Sequence, residues 1–406
     1  MEADSDDPSP SGLAPPTQVA AVERERINSA ATLGVAALII GTGSILFNVM
    51  PLLLSSLAKA RSLSESEVGF FASSAMAGAL LATLASVLWI RRLPWTWTTG
   101  LAALVATTAS LGLMEFENYS AILMLGFVLG YGQATLIASP VAMISDTDAP
   151  SRNFALIVAV QVVMASVLAA AMPGIDRAGS FSAVMAVMGL ITLVCAALAF
   201  RLPVRGLRGR TDLPAASPDA AAPNTPVFLG LGGLLIFYIG LTMVWGFAGI
   251  LGEAWALTPG EVASAVSVSL GAGLVGSLFA GMLGDRIRAQ RAIGLGLVGV
   301  GITFGLFALE GGYWLFLSTL LAMNGFWNFS LAYQLGMISS FDISGRFAVL
   351  MTASQTAGAL LGPGMMGVIL GATGGFGAGL AFAGFWLVAA YGLFWQAMRS
   401  SALRTR

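Results

Sequence analysis

Seven amide side chains stand inside the long apolar stretches of this chain: Asn48, Gln133, Gln161, Asn324, Asn328, Gln334 and Gln355. Asn324 and Asn328 are one helical turn apart, with Trp327 beside them. Tyr238, Thr242 and Trp245 form a second stripe at i, i+4, i+7. Rings offer flat apolar faces and amides offer hydrogen bonds, a combination that suits a neutral or amphipathic ligand. The same amides can instead join helices inside a bilayer, for ~0.6 kcal/mol each on average, and both readings stand at this level. Covalent chemistry has few means here. His is absent, Cys195 is alone, and no GxxxxGK[ST] phosphate loop occurs. No enzyme activity, metal or cofactor is expected.

Such stripes need membrane helices to hold them. Hydrophobic residues make up 57% of the 406 residues, charged ones 10%, and mean hydropathy is +0.86. A soluble globular chain carries ~25% charged residues. Twelve runs approach or exceed the ~20 residues that cross a bilayer as a helix. They are predicted at 30–57, 68–90, 95–114, 119–144, 154–172, 181–200, 226–251, 262–283, 292–309, 313–338, 347–370 and 376–398. Residues 1–28, rich in Asp, Glu, Pro and Ser, predict a disordered tail. The interval 201–225, with Arg201, Arg205, Arg208 and Arg210, predicts a linker between one bundle at 29–200 and another at 226–398, and 399–406 is a short tail.

The polar residues also repeat. Asp148, Arg152 and Gln161 return 194 residues later as Asp342, Arg346 and Gln355. Glu67-Val68 returns as Glu261-Val262, Arg92 as Arg286, and Met143-Ile144-Ser145 as Met337-Ile338-Ser339. A hydrophobic chain duplicated in this way predicts two halves related by an axis along the membrane normal, with a site between them.

Of the 19 Lys and Arg, only Lys59, Arg61 and Arg177 fall on one side of the predicted membrane. The positive-inside rule then puts both termini in the cytoplasm. None of the 20 acidic residues lies in mid-membrane, where a charge costs at least ~2.5 kcal/mol. Glu253, at the end of the seventh span, is the carboxylate nearest the interior. A net charge of −1 implies no nucleic-acid partner.

The turn Gly281-Met-Leu-Gly-Asp285-Arg286-Ile-Arg288-Ala-Gln290-Arg291 resembles the cytoplasmic G-xxx-D-R-x-G-x-R-R motif of the major facilitator superfamily. Arg288 replaces the second glycine and Gln290 the first of the paired arginines. In the first half the motif's acidic position holds Arg91, and 169–174 keeps only Pro173-Gly174 of the antiporter pattern. Six plus six spans and a basic linker extend the resemblance over nearly the whole chain. It implies an all-α integral membrane fold of twelve transmembrane helices in two six-helix pseudo-symmetric bundles. It implies that helices 1, 4, 7 and 10 line a central cavity flanked by 2, 5, 8 and 11. The seven amides fall on those helices only. It also implies a gate at Asp285 and Arg286, with Arg152 and Arg346 as partners when the outer side is open. For Asp148 and Asp342, N-capping of the following helices is the simpler expectation.

The function expected from the resemblance is alternating-access transport, secondary active or facilitative, of a small, neutral or amphipathic organic solute across a bacterial inner membrane, by a monomer. Two alternatives remain: a proton-coupled exporter of amphipathic compounds, with Glu253 as the coupling group, and a transporter-like sensor that does not cycle.

Overall fold

The computed structural model describes residues 16–205, 225–342 and 348–402, and among these every regular element is helical. The first half comprises α1 (Pro16–Asn28), α2 (Ala30–Asn48), α3 (Met50–Arg61), α4 (Glu65–Trp89), α5 (Trp95–Glu115), α6 (Tyr119–Ser145) and α7 (Pro150–Leu198). The second comprises α8 (Thr225–Ala254), α9 (Pro259–Leu283), α10 (Ala289–Phe307), α11 (Tyr313–Phe341), α12 (Ala348–Thr373) and α13 (Phe376–Ala402). Among the described residues, eleven helical stretches are long and apolar enough to cross a membrane. The longest, Arg152–Arg201, covers nearly all of α7, which breaks at Gly179 (φ −163°, ψ 23°) and Ser180 (φ 56°, ψ −161°) into two arms. Counting both arms is consistent with twelve crossings.

The 194-residue repeat governs where elements begin and end. α4 and α9 start at Glu65 and Pro259 and stop at Trp89 and Leu283. α5 and α10 start at Trp95 and Ala289, and α6 and α11 at Tyr119 and Tyr313. The cause is local chemistry. Ser64 and Glu67 close a capping box on α4, in which the Glu67 carboxylate accepts from the Ser64 backbone N–H at 2.9 Å. Thr258 and Glu261 do the same on α9, also at 2.9 Å. Each box satisfies two of the orphan amides of a helix start. It starts each helix three residues before the apolar runs at 68 and 262. Left-handed residues recur too: Ser62 (φ 49°) pairs with Ala256 (φ 58°), and Ser180 (φ 56°) with Gly374 (φ 69°).

Four expectations are corrected. The part of the predicted disordered tail that is described, Pro16–Asn28, is helical. Composition alone cannot stabilise it, but docking does. Arg24 donates to Asp148 at 2.6 Å, Asn28 Oδ1 accepts from the Asp148 backbone N–H at 2.9 Å, and Ile27 is fully buried. Residues 1–15 lie outside the described residues, as do 206–224 of the linker and 403–406 of the final tail. Second, the final tail begins later than 399, because α13 continues to Ala402, where the Arg399 guanidinium lies 3.7 Å over the Trp395 ring. Third, the first predicted span is two helices. Val49 (φ −97°, ψ 5°) interrupts it, and Pro51, which has no N–H to donate, stands in the first turn of α3. The equivalent stretch of α8 runs unbroken, with Trp245 in place of Pro51. Fourth, Asp148 caps nothing. The N-cap of α7 is Ala149, without a side-chain bond.

The two halves meet along a seam. Trp245 Nε1 donates to the Phe47 carbonyl at 3.1 Å. Moving along the seam from that point, Ser166 and Ser267 each donate a hydroxyl to the other's carbonyl, at 3.0 and 2.8 Å. Ser73 Oγ accepts from the Gly364 N–H at 3.0 Å, and Ser66 donates to the Gly367 carbonyl at 3.0 Å. Lys59 pairs with Glu253 at 2.7 Å. Ser73 and Ser267 are equivalent positions of the repeat, so the α4–α12 and α7–α9 contacts are symmetric copies of one joint. Among the described residues, the hydrogen bonds between the halves lie from mid-depth to the end that carries Lys59 and Glu253, opposite the arginine-rich end.

Close backbone approach makes the seam tight. A Cβ on Gly249 would sit 2.1 Å from the Pro51 carbonyl oxygen, and one on Gly367 2.5 Å from that of Glu65. Neither position admits a side chain while the seam is shut.

Candidate functional site

At the α2–α3 junction and half-way along α8 and α11, three rings converge on Trp327. The Phe47, Tyr238 and Trp245 centroids lie 6.1, 6.0 and 6.2 Å from it. Phe47 belongs to the first half and the others to the second, so the cluster straddles the seam. Tyr238, Trp245 and Trp327 are buried, whereas Phe47 and Asn48 are half-buried. Edge-to-face pairs of this kind contribute ~0.5–1.5 kcal/mol each beyond burial. The Trp327 indole N–H has no partner of good hydrogen-bond geometry, although the Tyr238 hydroxyl lies beside it. A buried donor left so is an open hydrogen-bonding position.

The helices put these rings in place for separable reasons. α8 is buried along most of its length, with glycines at Gly240, Gly246 and Gly249 letting neighbours approach. On α11, Trp327 points at the seam, while Asn324 and Asn328 turn to α9.

Those two asparagines do not join the rings. Asn324 is almost fully buried and its amide donates to Ser269 Oγ at 3.2 Å and the Leu320 carbonyl at 3.3 Å. Asn328 donates to the Asn324 carbonyl at 3.0 Å and lies against Gly273 of α9. In this state both side chains face the α9–α11 contact rather than the ring cluster. The turn-apart spacing that put them on one face also points that face at a neighbouring helix. Thr242 likewise serves packing: its hydroxyl donates to the Tyr238 carbonyl at 2.6 Å and abuts the Gly358 and Gly362 backbone of α12. Gln133, with its amide nitrogen turned to the donor side, reaches the Thr42 and Gly43 carbonyls at 2.7 and 3.2 Å, tying α6 to α2.

Gln334 is buried and donates to Ser330 Oγ at 3.0 Å, with its own oxygen unpartnered. Three further amides are only lightly engaged. Gln161 is half-buried and makes no hydrogen bond among the described residues. Its repeat partner Gln355 makes one long bond, 3.4 Å, to the Met351 carbonyl of its own helix. Asn48 donates back to Ser44 at 2.9 Å, leaving its oxygen free. Phe47 was not singled out from sequence. Nothing marks one Phe in an apolar span except its neighbour Asn48.

At the arginine-rich end, Arg152 and Arg286 are exposed. Asp285 stands in the 3-10 turn Gly284–Arg286, while its side chain and Arg346 lie outside the described residues. The first half holds an ion pair that sequence reading missed. Arg91, at the motif's acidic position, meets Asp146 at 2.8 Å, and the Asp146 side chain is fully buried. Position 340, equivalent to Asp146, is Ser. The charge is therefore reversed at this one position, Arg91 against Asp285, and the first half's Asp146 has no charged counterpart in the second.

No protein-family model and no curated protein sequence matches the chain. Solved structures do. The nucleoside transporter NupG superposes with a TM-score of 0.71 at 10% identity, over 91% of this chain and 99% of that one. A point mutant of NupG gives 0.72 at 12%, over 90% and 99%. A bacterial homologue of the human lysosomal transporter Spinster, in an inward-facing and occupied conformation, gives 0.66 at 13%, over 91% and 96%. Identities this low speak to architecture alone. Two pseudo-symmetric six-helix bundles, repeated at 194 residues and superposable on these transporters over nine-tenths of the chain, give this protein the fold of the major facilitator superfamily.

Proposed function

We propose that this chain carries a small, neutral or amphipathic organic solute across a bacterial inner membrane by alternating access, as a monomer of two bundles, 29–200 and 226–398. The observation that carries the reading is the Trp327 cluster. It lies where the halves meet, is built from both, and holds no charge. Such a site offers stacking area and a few hydrogen bonds, and would discriminate by leaving an amide or indole unpaired when the wrong solute enters, at roughly 1–3 kcal/mol. Tyr238, Trp245, Trp327 and Phe47 supply the rings, and Asn48, Gln161 and Gln355 the hydrogen bonds. With the arginine-rich end in the cytoplasm, the state described is closed to the outside. Asp285 and Arg286, with Arg152 or Arg346, then form their gate only in the opposite state.

Nucleosides are the first solutes to test, being flat and uncharged, and because NupG is a nucleoside transporter. The proton-linked alternative is weakened by one observation: Glu253 is bonded to Lys59 and Ser55 at the seam, about two turns from Trp245. The test is thermal stabilisation of purified protein by a panel of neutral solutes, followed by uptake into proteoliposomes with and without a pH gradient. Expected are uptake independent of the gradient, and loss of both signals in Trp327→Ala. Uptake that requires the gradient, or Trp327→Ala behaving as the parent, would overturn the reading.

A further inference from the structure

Lys59, the last basic residue but one of α3, meets Glu253 at the end of α8 with an Nζ–Oε1 distance of 2.7 Å. These are equivalent positions of the two halves, 194 residues apart. Two equivalent positions can touch only where both lie beside the axis that relates the halves. The ion pair thus bridges the halves on that axis. Ser55 donates its hydroxyl to the same Glu253 oxygen. Its own equivalent, Gly249, packs against Pro51 and Ser55, so this strip of α3 and α8 follows the axis for more than a turn.

A second carboxylate faces the same space. Asp176, in the first arm of α7, accepts a hydrogen bond from Ser56 at 2.5 Å. Lys59, Asp176 and Glu253 line one cavity of about 40 Å³ together with Ser55 and Ser56. That is room for water and for a lysine ammonium to swing. Asp176 belongs to the same half as Lys59, and Glu253 to the other. When the halves part at this end, Glu253 moves away and Asp176 stays.

We propose that Lys59 is a two-position latch. Paired with Glu253 it holds the far end shut, and on opening it passes to Asp176, so that the two carboxylates favour opposite access states. The inference rests on the alternating-access reading. A ligand with equal affinity for both states cannot shift their balance, but a charge with one partner in each state can be moved by substituting either partner.

The test is a distance measurement, separate from any transport assay. Spin labels are placed at Ser120→Cys and Trp314→Cys, both exposed positions at the far end, in the full chain with Cys195→Ser, in lipid nanodiscs. Glu253→Gln is expected to raise the open-to-closed ratio about two- to fivefold, the range of a half-exposed pair. Asp176→Asn is expected to lower it by a similar factor. Lys59→Glu alone opposes Glu253, whereas Lys59→Glu with Glu253→Lys remakes the bridge and opposes Asp176, so the double variant should be more closed than the single. If the open population is too small for distances, thiol labelling of Leu52→Cys, buried in the seam, reads the same ratio. Glu253→Gln and Asp176→Asn shifting together, or neither shifting, overturns the latch, as does a double variant as open as Lys59→Glu. Should these shifts occur in a chain that moves no solute, the latch stands and the transport reading falls.

Discussion

Gly249→Ala isolates the seam from everything else in the molecule. The added Cβ would sit 2.1 Å from the Pro51 carbonyl oxygen and 3.3 Å from Ser55 Cβ. Both obstructions belong to the other half. Within its own bundle Gly249 has no such neighbour, so each half folds as before and only the closed state suffers. An overlap of more than ~1 Å with backbone must be relieved by separating α3 from α8, and overpacking of this kind typically costs about 1–3 kcal/mol. As a shift between two states that is about 5- to 150-fold toward opening at the far end. The assay is the same distance measurement, with the label pair at 120 and 314 and thermal unfolding in detergent as the folding control. The expected result is a longer distance with an unchanged melting temperature. An unchanged distance in a folded protein would mean that the seam yields locally. Glycine at 249 would then not be what lets the halves close.

Removing a capping hydroxyl should act alike in both halves: Ser64→Ala and Thr258→Ala should each destabilise by about 1 kcal/mol, read by thermal unfolding in lipid. A loss in only one would break the equivalence of the two helix starts. Asp146→Ala takes the buried carboxylate away from the Arg91 guanidinium, and should destabilise the first bundle by about 1–3 kcal/mol. The double variant with Arg91→Ala should recover part of that, and a double as unstable as the single would show that the pair is incidental. Arg24→Ala removes an exposed ion pair worth ~1 kcal/mol or less. It should show as faster proteolysis between α1 and α2 rather than as a lower melting temperature.

The membrane-length helices and the repeat were legible because burial in lipid demands long apolar runs and because charge is scarce enough for each coincidence to count. Helix starts were less legible. The capping boxes at Ser64 and Thr258 are written in the sequence as S/T-x-x-E, four residues before the apolar runs begin. The interruption at Val49 was hidden because a proline at a helix start and one in a kinked helix look alike in sequence. The arrangement of the candidate site residues was half legible. Tyr238, Trp245 and Trp327 converge as their spacing suggested, but Asn324 and Asn328 do not join them. One turn of spacing says that two amides share a face, not which neighbour that face meets. Phe47 and the Arg91–Asp146 pair depend on contacts 198 or more and 55 residues distant respectively, and no local pattern announces them.

The ion pair on the axis also bears on how the chain came to have two unlike halves. In an assembly of two identical subunits, position 59 would face its own copy. Two lysines, or two glutamates, at 2.7 Å would repel. Symmetry forbids an attractive charge pair at that place. The same holds for Ser55 against Gly249, where identical residues would be either two hydroxyl side chains crowding one gap or two glycines with no hydroxyl to bind Glu253. A bonded contact on the axis became available only once the two copies were joined in one chain and could change independently. Fusion here did more than fix the stoichiometry. It opened the one line in the molecule where a symmetric dimer has no freedom to be complementary to itself.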